Sequence, residues 1–367
     1  MAKRRYTVGI VGLGFGRAHI PAFQSQGCDV VAVCQRDAAK ARDVAHRYGV
    51  PRTFERWEQM LEQARPDIVV IAAPPAVHHA IALQALGGGA HVLCEKPLAM
   101  NAAEARAMIE AASRAGRVAM TCFNWRFPAA MQRLHAMVDQ GFLGRLFHVS
   151  VRYLVPRWAN ESVQPTWRMD RAQAGHGAMG DLGVHLVDLI RWNFGEPLRV
   201  SASAGIAYPS RTVPGGEKAA DTEDFCTAML ELASGAQATL QVSRAARAAN
   251  DQALEAYGSL GALRYSIGRG RAGRWYRGEL LAASGTTGFE PVKVPAGLPR
   301  SAGEGDQIEV TGKATIGPLV KRFLAAIRKG QSPSPSFEDG MRAQAVLDAV
   351  AESSSRGGWV NVEDAPR

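Results

Sequence analysis

The chain has 367 residues, of which 47% are hydrophobic and 21% charged, and a formal net charge of +9. That length exceeds one ordinary core and favours two domains, and the composition excludes a disordered or low-complexity protein. No apolar run approaches the roughly 18 residues of a membrane span, and the apolar stretch in MAKRRYTVGIV is too short for a secretion signal, so a soluble cytoplasmic protein is expected.

YTVGIV (6–11) is a short apolar run ending at glycines, as a buried parallel strand would, and a helical stretch follows to about Gln26. Between them lies GLGFGRAH (12–19). Gly12 and Gly14 stand at G-x-G spacing: the first permits a tight turn, and the second lets a pyrophosphate approach the backbone. A third glycine belongs at position 17, but that is Arg17; Gly16 comes one place early, beside Phe15. DVVAVC (29–34) is the next strand. Gln35 stands where an NAD site usually carries a ribose-binding acid. Arg36 follows and suits a 2′-phosphate, so NADP is favoured. Asp37 reads as the N-cap of the next helix and leaves NAD open.

Helices are expected over 38–49 and 54–63, then a strand over 67–73. Pro75 opens a helix through Leu86. HVLCE (91–95) is a strand, Asn101 with Glu104 starts a capped helix, and RVAMTCF (117–123) closes the series. This alternation predicts a doubly wound parallel sheet over 1–123. Cys28, Cys34, Cys94, Cys122 and Cys226 are odd in number and form no CxxC pair, so they read as reduced core thiols.

Beyond 123 the rhythm changes. A helix near 127–140 gives way to alternating stretches at 146–154, 224–232, 236–244 and 254–259, read as half-buried antiparallel strands. Gly- and Pro-rich pieces at 205–220 and 283–305 read as loops, and helices are expected near 317–329 and 339–356. The expectation for 124–367 is an α+β domain on an open, mainly antiparallel sheet. The basic residues lack interleaved aromatics, which argues against nucleic acid; a basic surface suits phosphorylated small molecules.

GDLGVHLVDLIRW (180–192) places Asp181, His185 and Asp188 four and three residues apart, on one helical face, with Leu182, Leu186 and Leu189 on the adjoining face. Spacing alone leaves His185 between a buried histidine held by two acids, a metal ligand and an acid/base catalyst. A metal site from His176, Asp181, His185 and Asp188 is not expected.

Glu-Lys-Pro in HVLCEKPLA (91–99), together with the glycine turn, PPAVH (74–78), FNWRF (123–127), GDLGVH (180–185) and the ending 338–362, resembles the Gfo/Idh/MocA family (glucose–fructose oxidoreductase, inositol dehydrogenase) over nearly the whole chain. The resemblance implies a Rossmann domain plus an open-sheet domain, a nicotinamide dinucleotide, and hydride transfer at a hydroxyl carbon of a sugar, cyclitol or derivative. It assigns catalysis to Lys96, Asp181 and His185. With the glycine turn, it assigns cofactor binding to Gly12, Gly14, Phe15, Gly16, Gln35, Arg36, Pro74, His78, Glu95, Lys96, Asn124, Trp167 and Arg168. It also implies a homodimer or homotetramer through the open sheet face. Two departures stand out: the usual three glycines read Gly175-His176-Gly177, and the residue before Asp181 is Gly180 rather than large and apolar.

A hydride leaving a carbinol requires a proton to leave with it. His185 suits that role, Asp181 would orient it, and the Lys96 ammonium would favour a developing alkoxide; either His185 or Lys96 supplies the base. Two other readings use the same residues. In one, a tightly held NAD(P) serves a redox-neutral lyase or glycosidase, with Tyr153 or His176 as an extra base. The other is a non-catalytic dinucleotide-dependent sensor. His19 and His78 are expected to support loops, and Trp192 to lie in the core.

Overall fold

The computed structural model describes residues 5–213, 215–268, 278–285, 288–294 and 306–363. They form two compact units, Met1–Phe127 with Arg300–Met341 and Pro128–Pro299 with Arg342–Arg367.

The first unit holds a six-stranded sheet of β1 (Thr7–Val11), β2 (Asp29–Cys34), β3 (Thr53–Phe54), β4 (Ile68–Ile71), β5 (His91–Cys94) and β6 (Ala119–Thr121). The order is β3-β2-β1-β4-β5-β6 with every neighbouring pair parallel, so the winding reverses between β1 and β4. Helices α1 (His19–Gln24), α2 (Ala38–Tyr48), α3 (Trp57–Ala64), α4 (His78–Gly87) and α5 (Ala102–Ala115) alternate with the strands. Sandwiched strands need no polar face, which is why Ile68, Val69, Val70 and Ile71 are all 0% exposed. The caps are local: the Asp37 carboxylate accepts the Lys40 N–H at 3.0 Å, and Asn101 accepts that of Glu104 at 2.9 Å. The helix expected after β1 begins as a 3₁₀ turn, Gly16–Ala18, and is α-helical only from His19. The two-residue β3 is too short to carry a periodic signal.

The second unit begins with α6 (Ala129–Asp139), β7 (Leu146–Leu154), α7 (Arg171–Ala174) and α8 (Val184–Phe194). The strands β8 (Pro197–Gly205), β9 (Ser210–Val213), β10 (Gly216–Ala219), β11 (Phe225–Leu232), β12 (Gln237–Ser243), β13 (Asp251–Gly258), β14 (Gly261–Gly268), β15 (Glu279–Ser284), β16 (Glu290–Pro291) and β17 (Trp359–Asn361) complete it. Its nine-stranded sheet runs β16-β15-β14-β13-β7-β12-β11-β8-β17, antiparallel except for β7 with β12. Inward and outward residues alternate: Cys226, Ala228 and Leu230 of β11 are buried, whereas Phe225, Thr227 and Met229 are exposed. The loop expected at 205–220 carries the β9–β10 hairpin. Of the loop expected at 283–305, residues 286–287 and 295–305 lie outside the described residues, and 290–291 form β16.

Of the described residues, 306–341 group with the parallel sheet, whereas the sequence places them in the second domain. Within them, α9 (Gln307–Thr311) and α10 (Gly317–Lys329) precede α11 (Phe337–Arg356). The cause is burial. Leu319, Val320, Phe323 and Leu324 of α10 share a core with Ile10, Phe23 and Val33, and Phe337 and Met341 join Ile71 and Met108. All five cysteines are free and buried. Among the described residues, no helix is long and apolar enough to cross a membrane.

Candidate active site

The glycine turn is shaped by what a side chain would strike. Gly12 has φ +89°, and a Cβ there would lie 2.4 Å from the Ala72 carbonyl oxygen. A Cβ on Gly16 would lie 2.9 Å from Ala72 Cβ. Gly16 thus gives the close packing on β4 that a third glycine provides, one place early because the chain enters a 3₁₀ turn there. Gly14 is exposed, and a Cβ on it would meet nothing within 4 Å. The turn therefore has one face packed on β4 and one open, at the carboxyl ends of parallel strands beside the reversal of winding. This cradle fits a dinucleotide pyrophosphate.

Beyond the turn, Gln35 folds back so that its amide oxygen accepts the Leu13 N–H at 3.2 Å. Arg36 is exposed, with no hydrogen-bond or ion-pair partner among the described residues. Next to it, Ala38, Arg42, Thr53, Phe54 and Arg56 line a cavity of about 420 Å³.

At the end of β5, Glu95 is 7% exposed and accepts the His19 Nε2–H at 2.8 Å. Burial raises the Glu95 pKa, but the His19 hydrogen bond and charge, aided by Lys96, outweigh it and hold the carboxyl below its usual value. Among the described residues, His19, Glu95 and Cys122 form the one group whose ligand atoms converge as a metal site would, all of them buried. His78 is enclosed: Nδ1 faces the Pro97 carbonyl at 3.0 Å and Nε2 that of Ala73 at 2.8 Å. Burial pushes its pKa below the usual value. Glu95, His19 and His78 thus brace the loops around the half-buried Lys96. Phe15 packs edge-on to His19, and Pro74 is half-buried where the loop after β4 turns. Asn124 donates to Thr315 Oγ1 at 2.8 Å, and Arg126 reaches Ser334 and Asp339, so this crossover pins 306–341 to the first unit.

The remaining expected residues lie in the second unit. Asp181 sits in a π-helical turn, Met179–Gly183, that leads into α8; such turns insert a residue and are frequent at functional sites. His185 and Asp188 follow on α8, 5% and 1% exposed, on a helix buried nearly all round. Two guanidinium groups converge on Asp181: Arg157 Nη1 at 3.6 Å and Arg168 Nε at 3.5 Å. The Arg157 Cζ lies 5.5 Å from the Trp158 ring centroid, and that of Arg168 lies 4.3 Å from the Trp167 centroid.

Beneath them is a buried charge cluster. Arg244 Nε donates to Asp224 at 2.8 Å, its Nη1 to the Arg168 carbonyl at 3.0 Å, and its Nη2 to Thr222 Oγ1 at 2.8 Å. Arg211 donates to the carbonyls of Asn160 at 2.7 Å and Trp158 at 3.3 Å. Glu223 accepts the N–H groups of Gly177 at 2.7 Å and Met179 at 3.1 Å. A Cβ on Gly177 would fall 2.1 Å from the Glu223 carbonyl oxygen, so glycine is required there. His176 is tolerated between its two glycines because its ring has partners, with Nε2 3.4 Å from Asp348 and 3.2 Å from Gln344. Trp192 stacks on His135 at 3.7 Å.

Sequence reasoning missed Arg157, Glu223, Asp224 and Arg244. Asp224 and Arg244 meet only because β11 and β12 pair, 20 residues apart. Arg157 carries no local signal at all.

Residues 6–123 match the family described as "Oxidoreductase family, NAD-binding Rossmann fold", and residues 131–264 match the "GFO/IDH/MocA C-terminal domain". Levoglucosan dehydrogenase of Pseudarthrobacter phenanthrenivorans is 28% identical, with 97% of each chain covered. Inositol 2-dehydrogenase of Rhizobium meliloti is 27% identical over 94% of this chain and 96% of its own. A solved levoglucosan dehydrogenase in complex with NADH and levoglucosan superposes with a TM-score of 0.87 at 28% identity, covering 98% of this chain and 100% of that one.

Proposed function

The chain belongs to the GFO/IDH/MocA oxidoreductase family, and from that premise we propose that it oxidises or reduces a hydroxyl carbon of a sugar, cyclitol or derivative. The names of the relatives support that substrate class. The observation that carries the reading is the glycine cradle, closed against β4 at Gly12 and Gly16 and open at Gly14.

When bound, the nicotinamide supplies a hydride acceptor or donor. The residues of this chain manage the proton and the charge. His185 takes the hydroxyl proton, Asp181 orients it, and the Lys96 ammonium stabilises the developing alkoxide. The loops that carry Lys96 are held by His78 and by the His19–Glu95 pair. The cofactor is NADP. Gln35 is engaged with Leu13, which leaves Arg36 at the end of β2, where a 2′-phosphate is read, as an exposed cation with no partner among the described residues. The protein is a homo-oligomer that buries the outward sheet face, on which Phe225, Met229 and Trp359 are 45%, 51% and 45% exposed.

The test is the appearance of reduced nicotinamide when the protein is mixed with oxidised cofactor and a panel of sugars and cyclitols. Turnover is expected, with kcat falling about 10²- to 10⁴-fold in His185→Ala. Near-full turnover in His185→Ala, with an unaltered pH profile, would remove His185 from the mechanism.

A further inference from the structure

We infer that the substrate carries an oxyanion, a carboxylate or a phosphate, and that Arg157 and Arg168 bind it. The inference rests on the sugar-oxidoreductase reading and names the class of sugar. It also reassigns Arg168 from the cofactor to the substrate.

Three observations carry it. First, neither guanidinium donates a hydrogen bond to any described residue. Both approach Asp181 at 3.6 and 3.5 Å, close enough for attraction but too far for a hydrogen bond. A guanidinium has five N–H donors, so nearly all of this donor capacity is unspent. Second, the charges do not balance. Two cations share one carboxylate, which leaves one positive charge. Among the described residues neither guanidinium forms an ion pair with a second carboxylate: Glu223 pairs with Arg171 at 3.8 Å, and Asp224 with Arg244 and Arg211. A neutral sugar hydroxyl would leave that charge in place, whereas an oxyanion neutralises it and matches the planar guanidinium fork.

Third, the donors are mounted on a stiff frame. Each guanidinium lies against a tryptophan ring. The backbone beside each is held from below, Arg168 through its carbonyl by Arg244 and the Trp158–Asn160 stretch by Arg211. Arg244, Arg211 and Asp224 are at most 1% exposed, yet the Arg157 and Arg168 side chains are 47% and 28% exposed. The supports are buried and the donors remain reachable, as a preorganised anion site requires.

The test compares glucose, galactose and mannose, each with its uronate and its 6-phosphate, by initial rates of nicotinamide reduction. Within any scaffold that turns over, the charged member should have at least a tenfold lower KM, and that KM should rise with salt. Whether the uronate or the phosphate is preferred identifies the oxyanion. Arg157→Gln and Arg168→Gln should each raise the KM for the charged sugar about ten- to a hundredfold, and that for its neutral partner much less. Arg157→Lys, which keeps the charge but loses the fork, should fall between. Unfolding midpoints of all three variants would separate binding defects from folding defects.

Preference for the neutral sugar in every scaffold would overturn the inference, as would a charge preference that survives both glutamine substitutions. So would an Arg168→Gln defect confined to cofactor Kd, measured by fluorescence titration. If the protein binds cofactor but turns over no sugar or cyclitol, the underlying functional reading fails, and the inference falls with it.

Discussion

Substituting Asp224 should destabilise the second unit more than substituting Arg244. Asp224 is 1% exposed and lies 2.8 Å from Arg244 and 4.0 Å from Arg211, both fully buried. Breaking a buried ion pair from one side costs about 3–5 kcal/mol, because the remaining charge is stranded without solvent. Arg244→Met strands one carboxylate, which Arg211 still partly compensates. Asp224→Asn strands two guanidinium groups that repel each other. Burial already pulls the Arg211 pKa below its usual value, Asp224 opposes that, and Arg244 adds to it. Asp224→Asn removes the larger of the two favourable contributions, leaving only that of Tyr208. For a unit of this size, about 3–5 kcal/mol corresponds to a Tm fall of roughly 6–20 °C. Arg244→Met should therefore fall at the low end and Asp224→Asn at the high end. The Asp224→Asn/Arg244→Met double variant should lose less than the sum of the single losses, since the carboxylate and its nearest guanidinium go together and only Arg211 is left without its acid. Calorimetry on the four proteins measures this directly. Strictly additive losses, or a larger loss for Arg244→Met than for Asp224→Asn, would refute the charge-cluster reasoning.

Gly14→Ala should leave Tm within about 1 °C while weakening cofactor binding at least about tenfold, because its Cβ meets nothing within 4 Å and projects into the open face. Gly12→Ala should lose both stability and binding, because its Cβ strikes the Ala72 carbonyl at 2.4 Å and its φ is +89°; a stable Gly12→Ala protein would contradict this. His78 titrates lower when folded than its ordinary 6.5, so below that pH the unfolded chain takes up a proton that the folded one refuses. Its share of stability is thus present above pH 6.5 and lost as pH falls below it, and urea midpoints between about pH 7.5 and about 5.5 should fall less steeply in His78→Gln than in the parent. The buried thiols of Cys34 and Cys226 are pushed up to about 12 and that of Cys28 to about 11, so iodoacetamide should label none of the five cysteines until denaturant is added.

The parallel sheet was the most legible part of the sequence because strands buried on both faces are continuous apolar runs: TVGIV, DVVAVC and HVLC appear within a residue of their observed bounds. β8 and β14 escaped notice because PLRVSASAG and GALRYSIG mix small and polar residues along half-covered strands. The return of α10 to the first unit was also hidden. Its amphipathic pattern says that one face is buried, and nothing local says against which core. In the site, Gly12, Gly14, Lys96 and His185 were legible from short-range spacing. The pairing of Arg157 and Arg168 with Asp181 was not, since it depends on a long loop closing over the π-helical turn.

The most direct measurement is equilibrium titration of the purified protein with NADP and with NAD, alongside Arg36→Ala, after denaturing a sample to release and identify any nucleotide already bound. One dinucleotide per chain, bound more tightly as NADP in the parent and without that preference in Arg36→Ala, is the expected result. A protein that carries no nucleotide and takes up neither would contradict a dinucleotide-dependent oxidoreductase at its root.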